Sequence, residues 1–239
     1  MIDTRYCSRL GAGAAFCGAL LLTLGTSLHP MQAAPWDAAA AFAEYAADHH
    51  WLASHLIQLL GVLLGVLALL ALTWRLRAGQ SGVWALFGAA CALASLALAF
   101  ALQAVDGVAL KLMVDQWAHA EEPLRSQLFA ATFGVRQIEA GLAALFGLGF
   151  AISLLLYAPA LWLSRPAPRG LALGVLLAGG GQSAGCVAAG PRWLLRTGDE
   201  LEHARLAASP ALVLLAGGLA LAPAGMKKAR SMSGLFVGS

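Results

Sequence analysis

The sequence predicts an all-α protein: a polytopic transmembrane six-helix bundle, both termini cytoplasmic, with a helical hairpin exposed outside between spans three and four. Three observations predict it. Hydrophobic residues make up 60% of the chain and charged residues 11%, far from the roughly 25% charged of soluble domains. The excess is gathered into runs near twenty residues, about what an α-helix needs to cross a ~30 Å hydrocarbon core. The segments between runs alternate in charge. One face takes nine of the 15 Lys/Arg (Arg5, Arg9, Arg75, Arg77, Arg165, Arg169, Lys227, Lys228, Arg230) with one acid, Asp3. The other takes six Lys/Arg, eleven of the 12 acids and all 6 histidines. Lys and Arg in short loops mark the cytoplasmic side. Spans at about 10–28, 51–74, 83–105, 137–163, 170–190 and 206–225 then form one integral membrane domain over 1–239. Period-2 alternation, the mark of an outer-membrane barrel, is absent.

Span one follows Arg5 and Arg9. It competes with a signal-peptide reading, since Met31-Gln32-Ala33 resembles a cleavage site, but its apolar run is longer than a usual h-region and Met stands where a small residue belongs. Cleavage would leave five spans. Cys7, Cys17, Cys91 and Cys186 form no CxxC pair, so they read as small apolar residues rather than a disulfide or zinc framework. Tryptophans fit the topology: Trp74, Trp84 and Trp162 fall at inner ends, and Trp36, Trp51, Trp117 and Trp193 at or beyond outer ends, where indole rings anchor at headgroups.

The segment 35–50, with Trp36, Phe42 and Tyr45 among acids, predicts a short interfacial helix on the outer leaflet. Span two opens with Trp51, His55, Gln58 and Val62 on one face. At 1.5 Å per residue, His55 lies about 6 Å and Gln58 about 10 Å below Trp51. Spans three and four are expected to run out of the membrane as an antiparallel hairpin. Leu110, Met113, Val114 and Trp117 recur at helical spacing, as do Leu124, Leu128 and Phe129, and Pro123 suits the first turn of a new helix. Asp106 lies fifteen residues before Glu121 and Arg136 fifteen after it, which predicts an Asp106–Arg136 ion pair; Gln103 and Glu139 match at eighteen.

Span five carries Gly181-Gln182-Ser183-Ala184-Gly185. Five residues of this kind resemble the G-x-S-x-G elbow, and six spans with a glycine-flanked serine resemble rhomboid intramembrane proteases, but Ala184 stands where rhomboids carry glycine. The elbow also needs a strand–turn–helix context. Pro191–Arg205 reads as a solvated connector before span six. Small-residue ridges at Gly61/Gly65, Ala143/Gly147 and Gly181/Gly185/Ala189 let helices approach closely, within the chain, in a homo-oligomer or against partner membrane subunits. Trp51-x-x-x-His55 opening a glycine-rich span, and Asp106-Gly107 ending the next, resemble small multi-pass bacterial membrane proteins of unassigned function. That resemblance implies a fold type and no activity.

The expected site is an outward-facing polar pocket in the outer half of the bundle. It draws His55 and Gln58 from span two, Gln103 and Asp106 from span three, Arg136, Gln137 and Glu139 from span four, and Gln182 from span five. Polar groups at this depth face the bundle interior or a wet cavity, or simply lock helix register. A haem would need His55 with His203, and zinc or copper could use His49, His50 and Asp48 or Glu44. The function expected first is a non-enzymatic binding or accessory subunit in a bacterial cytoplasmic membrane. The alternatives are a small proton-coupled carrier using His55, Asp106, Arg136 and Glu139, or a haem- or metal-binding redox protein. The lipid bilayer is the expected partner; topology accounts for the basic patches, so nucleic acid is not.

Overall fold

A computed structural model describes residues 4–30, 32–34, 37–164 and 169–189, with side chains within 6–180 of these. The described chain is all-α. Helices α1 (Thr4–Ser27), α2 (Ala38–Ala47), α3 (Trp51–Leu76), α4 (Gln80–Gln103), α5 (Lys111–His119), α6 (Leu124–Leu163) and α7 (Arg169–Ala189) follow in order, and a π-helical segment, Ala104–Leu110, joins α4 to α5 without a break. Four stretches are long and apolar enough to cross a membrane: Tyr6–Ser27, Trp51–Leu76, Gln80–His119 and Leu124–Leu163. The fifth expected span corresponds to α7; the sixth, 206–225, lies outside the described residues.

The long helices pack in a chain of pairs, α1 on α3, α3 on α4, α4 on α6 and α6 on α7. Helices in lipid gain no hydrophobic drive from meeting one another, so close approach through small residues takes its place. The α1–α3 seam shows this directly. A Cβ on Gly61 would stand 2.9 Å from both the Gly18 carbonyl and the Leu22 nitrogen, and one on Gly18 3.1 Å from the Gly65 nitrogen. The Gly61/Gly65 ridge is thus used within the chain. Ala143 and Gly147 are also buried. Between α4 and α6, Ser153 Oγ donates to the Gly88 carbonyl at 2.7 Å, and Tyr157 covers Gly88 while donating to the Leu69 carbonyl of α3 at 3.0 Å. Large apolar side chains such as Leu56, Leu67, Phe87, Phe100, Leu145 and Leu177 point outward, as a lipid-facing surface requires.

The turn from α3 to α4 uses Gly79 at φ +68°, a left-handed conformation that glycine tolerates. At the other end, α5 and α6 form the expected helical hairpin, turning through residues 120–123. Asp37 caps α2, its Oδ1 accepting from the Ala40 N–H at 3.0 Å. Two sequence expectations change here. The aromatic face of α2 does not lie open: Phe42 and Tyr45 are buried in one cluster with Trp51, Leu110, Val114 and Trp117. Lys111 Nζ locks that arrangement, donating to the last carbonyls of α2, Tyr45 and Ala46, at 3.0 Å each, and to Asp115 at 2.8 Å. Trp51 and Trp117 are therefore core residues rather than headgroup anchors, whereas Trp74, Trp84 and Trp162 are exposed.

Candidate functional site

Ionisable side chains among membrane-spanning helices need partners inside the protein, because lipid supplies none. The hairpin end of the bundle gathers them. On α3, Trp51 and His55 stand one turn apart on one face, each 1% exposed. Opposite lies the π-helical segment, which carries Asp106. A π-turn bonds i to i+5 and is a frequent feature of functional sites; here the Trp51 indole Nε1 donates to the Asp106 backbone carbonyl at 3.1 Å. Gly107 follows. A Cβ there would stand 3.1 Å from Gln103 Oε1 and 3.3 Å from His55 Cβ, so its absence admits the first turn of α3. The Trp51-x-x-x-His55 and Asp106-Gly107 motifs meet at one point.

His55 Nδ1 lies 2.7 Å from the Trp51 carbonyl. A carbonyl only accepts, so Nδ1 carries a proton. His55 Nε2 lies 3.1 Å from Asp106 Oδ2, yet it is buried without a partner in hydrogen-bonding geometry. The distance and the alignment disagree. The alignment is the stricter criterion, so this is a close contact and not a hydrogen bond. His29, just past α1, joins the group: its ring lies 5.0 Å from those of Trp51 and His55. Ligand atoms of His29, His55 and Asp106 all fall within 4.8 Å of one another.

A second set adjoins the first. Thr132, Arg136 and Glu139 recur at i, i+4, i+7 on α6 and so share a face. Arg136 Nη1 donates to the Tyr45 hydroxyl oxygen at 2.7 Å, its guanidinium carbon stands 5.2 Å from that ring's centroid, and Nη1 lies 3.9 Å from Glu139 Oε2. Burial raises the Tyr45 phenol above its ordinary value, against the opposing pull of Arg136. It stays protonated at neutral pH and can donate onward. Asp106 also lies against His55 on α3, and Arg136 takes Tyr45 and Glu139, while the field of Asp106 reaches Arg136, the partner expected for it.

Gln58 lies below His55 with its Nε2 buried and without a hydrogen-bond partner; Gln103 Oε1 and Thr132 Oγ1 are in the same condition. Gln137 takes no part in the contacts named for Arg136 and Glu139, being turned about 100° around the helix from Arg136. The side chain of Gln182 and all of His203 lie outside what is described, and with them the serine motif and the haem pair. The His49/His50 metal set is not assembled. Both histidines are exposed, Glu44 accepts from the Gln32 and Ala33 N–H groups at 2.8 and 2.7 Å, and Asp48 Oδ1 accepts from the His50 N–H at 2.7 Å. Residues that periodicity did not single out are His29, Tyr45 and Thr132. His29 and Tyr45 reach the site from segments outside the long apolar runs, where no periodic signal marks them. Comparisons with protein-family models, curated proteins and solved structures return no match for this chain.

Proposed function

We propose that this chain is a multi-pass protein of a bacterial-type cytoplasmic membrane, crossing it six times with both termini inside, and that it is a non-enzymatic binding or accessory subunit. Its ligand would enter from outside, at the hairpin end. One observation carries the reading: His55, Asp106 and Glu139 are buried, with Arg136 half-buried beside Glu139, next to a π-helical interruption of an otherwise continuous apolar helix. His55 Nε2, Gln58 Nε2, Gln103 Oε1 and Thr132 Oγ1 lack hydrogen-bond partners there, each at a cost of about 1–3 kcal/mol. A bundle that needed only rigidity would be more stable with apolar residues there.

The α1–α3 seam bears on the carrier alternative. Below Gln58 the two helices close on each other at Gly18, Gly61 and Gly65, so the polar cluster does not extend along that seam toward the midplane, where carriers hold their substrates. Native mass spectrometry of the protein extracted with its lipids tests the proposal. The expected result is a bound non-lipid species or partner subunit in wild type that is lost in Arg136→Gln. Wild type carrying lipid alone, with a spectrum identical to the variant's, would overturn it.

A further inference from the structure

We propose that His29, His55 and Asp106 bind a divalent first-row transition-metal ion, with Zn²⁺ or Fe²⁺ as the type. This rests on the reading of the hairpin end as a binding site and names the ligand class. The donors are already gathered within 4.8 Å. Donors sharing a metal at about 2.1 Å stand roughly 3–3.4 Å apart, and His55 Nε2 and Asp106 Oδ2 stand at 3.1 Å. Seating the third donor needs only a small movement of His29, which is half-buried and lies beyond the end of α1.

The tautomers are set as a metal site requires. A ligating imidazole ordinarily donates its second N–H to a carbonyl or carboxylate, which orients the ring. His55 does this to the Trp51 carbonyl at 2.7 Å, and His29 to the Pro30 carbonyl at 3.0 Å. In His55 this leaves Nε2 as the coordinating atom. His55 Nε2 is buried, 3.1 Å from a carboxylate oxygen, and outside hydrogen-bonding geometry with it.

Two imidazoles and one carboxylate select borderline transition metals over Mg²⁺ and Ca²⁺, which prefer all-oxygen shells. Three protein donors also leave a coordination position for water or an outside ligand.

The test uses full-length protein in nanodiscs, stripped with EDTA and titrated with Co²⁺ by visible absorption, with Zn²⁺ in competition. One equivalent of Co²⁺ should bind, be displaced by Zn²⁺ and be indifferent to Mg²⁺. Affinity should fall at least the 10–100-fold that even outer-shell changes cost in His29→Ala, His55→Ala and Asp106→Asn, and stay unchanged in His49→Ala and His119→Ala. His29→Ala is the decisive variant, because His29 lies beyond the end of α1 rather than inside a helix, and its helicity and cooperative melting without metal are compared with wild type. Zn²⁺ should also raise the melting temperature of wild type but not of His29→Ala. Absence of Co²⁺ binding by protein that is helical and melts cooperatively overturns the metal site, as does binding that survives His29→Ala and His55→Ala. If a non-lipid species still co-purifies in an Arg136-dependent way while Co²⁺ fails to bind, the metal falls and the binding-site reading stands. If neither binds, both fall.

Discussion

Thr132 offers a clean distinction at the residue scale between a packing lock and a ligand site. Its hydroxyl is buried without a hydrogen-bond partner, so Thr132→Val exchanges an unsatisfied polar atom for a methyl of the same shape. The expected change in ligand-free stability runs from zero to about 1 kcal/mol of gain, read by thermal unfolding in nanodiscs. Tyr45→Phe should act oppositely. It removes the acceptor that Arg136 Nη1 meets at 2.7 Å, and losing a hydrogen bond to a charged group costs about 1.5–3 kcal/mol. A stability equal to wild type in Tyr45→Phe would show that water replaces the phenol and that this wall of the site is wet. His29 shows where residue-level reading stops. Its ring meets Trp51 and His55 through tertiary folding alone, and a histidine beyond a helix end looks the same in sequence whether it is solvated or part of a site.

Among the elements, the α1–α3 seam has the least tolerance. A methyl on Gly61 would meet backbone atoms at 2.9 Å, and backbone cannot move aside as a flexible side chain can. Gly61→Ala should therefore destabilise the protein by about 1–3 kcal/mol, the usual cost of overpacking. Gly13 and Gly141 have nothing within 4 Å of a built Cβ, so alanine there should be neutral or add up to about 1 kcal/mol through helix propensity. Equal melting temperatures for Gly61→Ala and Gly13→Ala would refute the seam. Helices were the most legible feature of the chain, because runs such as 51–74 and 137–163 are uniformly apolar; the observed α3 and α6 end at Leu76 and Leu163. Their extension into a hairpin was legible too, from Leu110, Val114 and Trp117 at helical spacing. The role of α2 was not. An amphipathic ten-residue helix reads alike whether lipid or α5 covers its aromatic face, and only packing shows Phe42 and Trp51 inside. The same limit applies to Asp106: its height follows from counting, but its approach to His55 shows only in the folded chain.

For the molecule as a whole, the buried ionisable cluster and the α3–α4 turn occupy opposite ends. His29, His55, Asp106, Arg136 and Glu139 gather at the hairpin end, while Arg75 and Arg77 stand at the α3–α4 turn. If Lys and Arg mark the cytoplasmic side, the binding site faces outward, and everything proposed for its ligand depends on that. Single cysteines in a background lacking Cys7, Cys17, Cys91 and Cys186 measure it most directly, one at exposed Glu121 in the hairpin turn and one at exposed Ala78 beside Gly79. With a membrane-impermeant thiol reagent on intact cells, Glu121→Cys should be labelled at once and Ala78→Cys only after the membrane is permeabilised. Immediate labelling at position 78, with position 121 protected until permeabilisation, would place the site on the cytoplasmic side and contradict the account.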